Sequence, residues 1–248
     1  MQTIGLLGGM SFESTIPYYR VINETIREAL GGLHSARLLL YSVDFHDIER
    51  MQHAGDWTQA GERLAEAARV LERAGAHFLV LGTNTMHKTA ATIERGVSIP
   101  LLHIADPTAT AIADEGITDV GLLGTRFTME EDFYRERLRR HGIDTLVPDT
   151  GEREDVHRVI YEELCRGIVR DESRARYRAV IERLVSRGAR GIVLGCTEIA
   201  MLIGADDAPV PVFDTCLLHA RAAALRALAG GTSTASPSGR SSSAAHSS

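Results

Sequence analysis

A thiol and a hydroxyl occupy matching places in a segment that this chain carries twice. LVLGTNT at 79–85 and IVLGCTE at 192–198 are apolar runs that stop at a small polar cluster, and aligning the stops sets Thr83 against Cys196. If the two halves are copies of one fold, these side chains face each other across a single cleft, a layout for chemistry on two faces of one carbon. A thiol ionises near pH ~8.5 and then serves as a base or nucleophile. Cys196 stands at a strand end just before a helical turn, where the positive helix N-terminus is expected to lower its pKa. Thr197 and Glu198 stand beside it, as Asn84 and Thr85 stand beside Thr83. Asn and Thr at such a turn can cap the helix, and they also place donors where a carboxylate could dock; the two roles are compatible. Cys165, on an amphipathic helix, and Cys216, past a strand end without such a cluster, are read as structural.

Two further loops can contribute. GGMSFEST puts Gly8 and Gly9 before Met10 and Ser11 at the start of a helix, and glycines allow an anion to approach the backbone there. Its twin, GTRFT, supplies the hydroxyls of Thr125 and Thr128. Neither GxxxxGK[ST] nor GxGxxG is present, so a small carboxylate suits these loops better than a nucleotide. The ten histidines show no metal-binding spacing, and no metal or cofactor is expected. His87, about one helical turn beyond Thr83, is read as structural. A hydrolase triad has no GxSxG anchor.

The elements that must position these residues alternate along the chain. Apolar, strand-like runs fall at 3–7, 37–43, 78–82, 100–104, 119–123, 191–195 and 210–213, and helical patterns at 13–30, 57–74, 107–115, 129–141, 153–168, 174–187 and 216–228. Gly75, Gly116, Gly142 and Gly188 suit left-handed helix ends. Short apolar strands separated by helices indicate parallel sheets covered on both faces. Three landmarks repeat in order: Gly5 and Gly121 lie 116 positions apart, Thr83 and Cys196 113, Pro100 and Pro211 111. The reading is an α/β fold of two similar lobes, each a parallel-type sheet flanked by helices, related by a pseudo-twofold axis with the cleft between them. Residues 1–104 with 213–229 form the first lobe, and 105–212 the second. Residues 230–248, rich in Ser, Gly and Ala, are expected to be a disordered tail.

Length and composition agree with a globular chain. The 248 residues are 44% hydrophobic and 24% charged, which leaves ample material for a core. No apolar stretch approaches a membrane span, and the start resembles no export signal, so a cytoplasmic location is expected. A net charge of −6 argues against nucleic-acid binding. The run Arg135, Arg137, Arg139 and Arg140 is read as a solvated helix face. Three unpaired cysteines indicate neither a disulfide framework nor a zinc site.

Together GLLGGMSFEST, GTNTMHK and LGCTEI resemble the aspartate/glutamate racemase family, over about residues 3 to 228. The resemblance implies cofactor-independent racemisation at the Cα of an amino acid, between two α/β lobes, by two opposed acid/base residues that are usually both cysteines. Cys196 matches the second of these, the base toward the L enantiomer. Thr83 in TNT stands where the family has the cysteine of a CNT motif. Met10, Ser11, Gln52, Asn84, Thr85, Thr197 and Glu198 match positions expected near substrate. A lysine that many aspartate-type members carry after a helix-terminal glycine is Ile168 here, which bears on how a side-chain carboxylate would be recognised. The implied partner is a small amino acid, with no nucleic acid or membrane; a homodimer is left open.

Threonine changes the two-base scheme. An alcohol ionises near bulk water, at ~15.7 against ~8.5 for a thiol, a gap of about 10 kcal/mol. Thr83 therefore cannot wait as an alkoxide, but it can donate a proton that a neighbour replaces, and Glu198, His87 or the substrate ammonium are candidates. The sequence points to a racemase of aspartate, glutamate or a related small amino acid. Two alternatives are a decarboxylase or isomerase of a small diacid, which needs a proton on one face only, and a non-catalytic small-carboxylate binder.

Overall fold

A computed structural model describes residues 1–230. The expected tail lies outside the described residues from 231 onward. The first half runs β1 (Ile4–Gly8), α1 (Phe12–Leu30), β2 (Leu38–Ser42), α2 (Phe45–Ala54), α3 (Trp57–Arg73), β3 (Phe78–Leu81), a 3-10 turn (Thr85–Thr89), α4 (Ala90–Arg95) and β4 (Leu101–Leu102). The second runs α5 (Ala105–Asp114), β5 (Asp119–Gly124), α6 (Arg126–Glu130), α7 (Asp132–Arg139), β6 (Asp144–Leu146), α8 (Thr150–Glu162), α9 (Asp171–Ser186), β7 (Gly191–Gly195), β8 (Val212–Asp214) and α10 (Thr215–Ala229). The strand orders are β2-β1-β3-β4 and β6-β5-β7-β8, with every pairing parallel. This is the α/β architecture of two similar lobes that the alternation indicates.

The repeat extends to the register. Gly5 pairs with Leu79 in the first sheet, and Gly121 with Ile192 in the second. Leu79 N–H donates to the Pro100 carbonyl at 2.9 Å and Ile192 N–H to the Pro211 carbonyl at 2.8 Å. The first residue of each repeated segment thus meets the same two neighbours, so Thr83 and Cys196 leave their sheets at equivalent points.

Alternation along these strands builds the core. Leu79 and Leu81 pack with Leu64 and Leu71 of α3, while Phe78 and Val80 pack with Tyr18, Ile22 and Ile26 of α1 and with the alanine face of α10. In the second sheet Ile192 and Leu194 meet α8 and α9, and Val193 meets α5 and α7. Each fully buried aliphatic side chain stabilises the fold by roughly 1.5–3 kcal/mol, and truncation to Ala costs about 2–5 kcal/mol because a cavity is left. Helix α10 follows the last strand of the second sheet yet packs on α1. That crossing ties the lobes together and holds the strand ends in apposition.

Several expectations need correction. Helix α2 and strand β6 were not anticipated: α2 buries only Ile48 and Gln52, and β6 is a three-residue edge with exposed Asp144. The single helix expected at 153–168 stops at Glu162 and continues as a 3-10 turn, Leu164–Arg166, closed by Gly167 at φ 70°. Gly75, Gly116, Gly142 and Gly188 do take positive φ. The arginine run is a surface face as read, apart from Arg137, which clamps Asp106 of α5 through two 2.7 Å bonds. No helix among the described residues is long and apolar enough to cross a membrane.

Candidate active site

The turns that follow β1, β3, β5, β7 and β8 converge where the carboxyl ends of the two sheets meet, the usual ligand position in open parallel sheets. The turn after β1 depends on Gly9. Its φ is +89°, and a Cβ there would lie 2.3 Å from the Val43 carbonyl oxygen. The tight bend delivers Ser11 to the start of α1, where Thr15 Oγ1 accepts from Gly9 N–H at 2.8 Å and donates to the Ser11 carbonyl at 2.9 Å. Ser11 does not cap its own helix. Its N–H and Oγ reach across to Glu198 Oε1, at 3.0 and 2.9 Å.

Glu198 is the hub of the second-lobe wall. While Oε1 takes the two Ser11 donors, Oε2 accepts from Cys196 Sγ and from Thr197 Oγ1, each at 3.0 Å. A buried carboxylate is tolerated because these four donors replace water. The arrangement overturns the expected electrostatics of Cys196. Burial and the adjacent Glu198 charge push its thiol well above the usual range. The turn that was to supply a helix dipole is a three-residue 3-10 segment, Ile199–Met201, too short to offset a full negative charge. At rest Cys196 is a thiol with a proton acceptor already in place.

Two more links join the ends of the two sheets. Thr85 Oγ1 shares a 2.9 Å hydrogen bond with Thr125 Oγ1, and a 3.4 Å one with Thr128 Oγ1. Asn84 Nδ2 donates to Thr215 Oγ1 at 2.9 Å, and that hydroxyl donates to the Leu194 carbonyl at 2.8 Å. Asn84 is therefore not a helix cap. Its Oδ1 is buried and has no hydrogen-bond partner, a costly position unless a donor arrives.

Thr83 is held by its backbone. Ile104 N–H donates to His87 Nε2 at 3.2 Å, so Nδ1 carries the imidazole proton and donates it to the Thr83 carbonyl at 2.7 Å. Burial, reinforced by His103 and His219, holds His87 well below its ordinary pKa. His87 is thus a neutral, satisfied histidine, as read from the sequence, and it anchors the turn. The Thr83 hydroxyl makes no hydrogen bond among the described residues.

Gln52, from α2, donates to Met86 Sδ at 3.0 Å and accepts from Tyr161 Oη of α8 at 2.8 Å. Met10 packs inside the first-lobe core with Leu7, Ile48 and Met86, so only its backbone borders the turn of Ser11. Over the seam, Phe45, His53 and Trp57 of the first lobe meet Phe127, His157 and Tyr161 of the second, with ring centroids 4.9–6.5 Å apart. Lys88 lies 3.9 Å above the Trp57 ring and 2.5 Å from Glu131.

Sequence reasoning missed three residues here. Tyr161 carries no signal, because its partner lies on a helix from the other lobe. Thr215 could have been found as the polar residue one place beyond the VPVFD strand. Cys165 was placed on an amphipathic helix, but the break after Glu162 turns it toward the site: it lines a surface cleft with His53 and Tyr161, and burial and Glu198 push its thiol up. Ile168, where a lysine was looked for, is partly exposed. No cluster of metal ligands occurs among the described residues.

Fold and site together define a two-lobed α/β protein in which a buried thiol bonded to a carboxylate and an unbonded hydroxyl follow equivalent strands where the two lobes meet. The Asp/Glu/Hydantoin racemase family model matches residues 7–223, and the chain belongs to that family. An Asp/Glu racemase-like structure from Yersinia pestis is 57% identical, covers 92% of this chain and 100% of its own, and superposes with a TM-score of 0.85. An aspartate racemase homologue from Pyrococcus horikoshii is 35% identical over the same shares, with a TM-score of 0.79. The broad-specificity amino-acid racemase RacX of Bacillus subtilis is 23% identical over 220 residues, 86% of this chain and 92% of RacX.

Proposed function

We propose that this racemase-family chain interconverts the enantiomers of aspartate, glutamate or a related small amino acid without a cofactor, with Cys196 as base toward the L enantiomer and Thr83 as acid or relay on the opposite face. The observation that carries the reading is the 3.0 Å bond from Cys196 Sγ to Glu198, set at the strand end equivalent to that of the unbonded Thr83 hydroxyl. The similarity to RacX supports a range that extends beyond the two acidic amino acids.

The proton inventory closes as follows. Glu198 takes the Cys196 proton and leaves a thiolate, which removes the α-proton of the L substrate. The electron pair of the broken Cα–H bond spreads into the substrate carboxylate. Thr83 then delivers its hydroxyl proton to the opposite face, the alkoxide is quenched by the substrate ammonium or by water, and the proton held by Glu198 passes through solvent to replace the one given up, which returns the carboxylate and the product ammonium to their starting states. Asn84 Oδ1 awaits a donor such as that ammonium, while the hydroxyls of Thr85, Thr125, Thr128 and Thr197 and the backbone of Met10 and Ser11 surround the carboxylate. Gln52 holds the cover in register through Tyr161. The α-proton is exchanged readily by Cys196 and more slowly through Thr83, although kcat/KM must be equal in both directions because free enantiomers have equal energy.

Incubation of an L-amino-acid panel in D2O, recording exchange and chirality together, tests the reading. Label should enter the L substrate faster than inverted product forms. Faster label uptake into the D than into the L enantiomer overturns the base assignment, and absence of Cα exchange throughout the panel overturns the racemase reading.

A further inference from the structure

Thr83 and Cys196 leave equivalent strands, but their turns are held by different means. In the second lobe the Cys196 carbonyl accepts the Ile199 backbone N–H at 3.1 Å, a bond closed within the turn itself. In the first lobe Thr83 N–H folds back to the Leu81 carbonyl at 2.8 Å, while the Thr83 carbonyl takes a hydrogen bond from a side chain, His87 Nδ1–H, at 2.7 Å. The His87 backbone N–H holds the next carbonyl, that of Asn84, at 3.1 Å. One buried residue therefore serves two successive carbonyls of this turn, a demand that buried backbone must meet somewhere. Aligning Thr83 with Cys196 sets His87 against Ala200, whose methyl group can donate nothing. The departure from the internal repeat falls on the half of the site that carries the alcohol.

We infer that His87 is a positioning residue for the Thr83 half of the reaction: through the Thr83 carbonyl it fixes where the hydroxyl stands, and the Cys196 half does not depend on it. The inference rests on the racemase reading above. Because the Thr83 hydroxyl makes no hydrogen bond among the described residues, its place is set by the turn that carries it. Cys196 is instead held through its own bond to Glu198. An alcohol is also a far weaker acid than a thiol, so delivery of its proton leaves little room for misplacement, and an error of about 1 Å costs on the order of 100-fold. His87 itself does not relay protons. The bond from Ile104 N–H occupies Nε2, and the proton on Nδ1 points at a carbonyl oxygen. The neighbouring rings are fixed in the same way. His219 donates from Nε2 to the Leu102 carbonyl at 2.9 Å and accepts from Tyr18 Oη at 2.7 Å, while His103 Nδ1 accepts from Ala105 N–H at 3.2 Å. With their centroids 4.3 Å (His103) and 6.1 Å (His219) from that of His87, these rings form a wall that keeps its imidazole from swinging away from Thr83.

Two amides separate the bonds of this ring. Asn Nδ2 stands where His Nδ1 does, so His87→Asn keeps a donor for the Thr83 carbonyl and gives up the acceptor for Ile104. Gln reaches the position of Nε2, so His87→Gln keeps that acceptor and loses the donor. Each variant is incubated with the L-amino-acid panel in D2O, and the rate of inversion is divided by the rate of label uptake into the L substrate. In His87→Gln this ratio should fall about 100-fold, whereas in His87→Asn it should stay within about tenfold of the unaltered chain. A change that merely loosened the fold would lower both rates together and leave the ratio in place. That result in His87→Gln, or a ratio in His87→Asn as low as in His87→Gln, overturns the assignment. Should His87→Gln fail to fold, His87→Asn carries the test, because a 100-fold loss of the ratio in a variant that keeps the donor is equally fatal. Absence of exchange in the unaltered chain overturns the racemase reading itself, before any variant is made, and the inference with it.

Discussion

Replacing Glu198→Gln isolates the electrostatic control of Cys196. The glutamate places a negative charge 3.0 Å from the sulfur, and this charge together with burial lifts the thiol pKa. With a thiolate and carboxylate separated by about 4 Å at an effective dielectric near 20, the repulsion is about 4 kcal/mol. Glutamine keeps the shape and one carbonyl oxygen for Ser11 but removes the charge, so the thiol pKa should fall. Ultraviolet thiolate absorbance, titrated in a Cys165→Ser/Cys216→Ala background and referenced to the same protein with Cys196→Ala, reads this directly. The acid limb of α-proton exchange should move to lower pH in parallel, while the maximum rate falls because the resident proton acceptor is gone. A thiol pKa that stays in place or rises would refute the argument, since burial alone would then govern the sulfur.

Three further outcomes are expected. Thr83→Cys should preserve or raise racemisation and Cys196→Ala should abolish it, measured by chiral chromatography; full activity in the alanine variant excludes Cys196 as the essential base. Tyr161→Phe leaves the buried Gln52 Oε1 unpaired, which should cost about 1–3 kcal/mol in a urea titration, with KM raised as the cover loosens; an unchanged midpoint would show that the cross-lobe bond contributes nothing. Burial holds His103 down to about 3 and His219 down to about 4, from ordinary values of 6.5. Because the unfolded chain takes up these protons first, their stabilisation is complete above pH ~6.5 and is lost as pH falls toward 3–4, on the order of 3 kcal/mol for His219. Denaturation midpoints that stay flat between pH 4 and 7 would contradict this.

The sequence by itself determined the alternating α/β order, the duplication and the strand ends that bear Thr83 and Cys196, because short continuous apolar runs and terminal glycines are local signals written into the chain. It also marked the loops of Ser11, Thr125 and Glu198, since short polar clusters at strand ends follow from the same pattern. Only the tertiary structure decided the state of Cys196. Local reasoning offered a helix N-terminus and a lowered pKa; the fold supplied burial and a carboxylate, whose effects are larger and of opposite sign. The Gln52–Tyr161 and Asn84–Thr215 contacts were equally beyond reach, spanning 109 and 131 positions with no shared period. Helix α2 was hidden for a related reason: it buries two side chains, and its place is set by the cleft it covers rather than by an apolar stripe. Propensity and periodicity act over a few residues, whereas proton affinity depends on whatever charge and solvent the folded chain brings within a few ångströms.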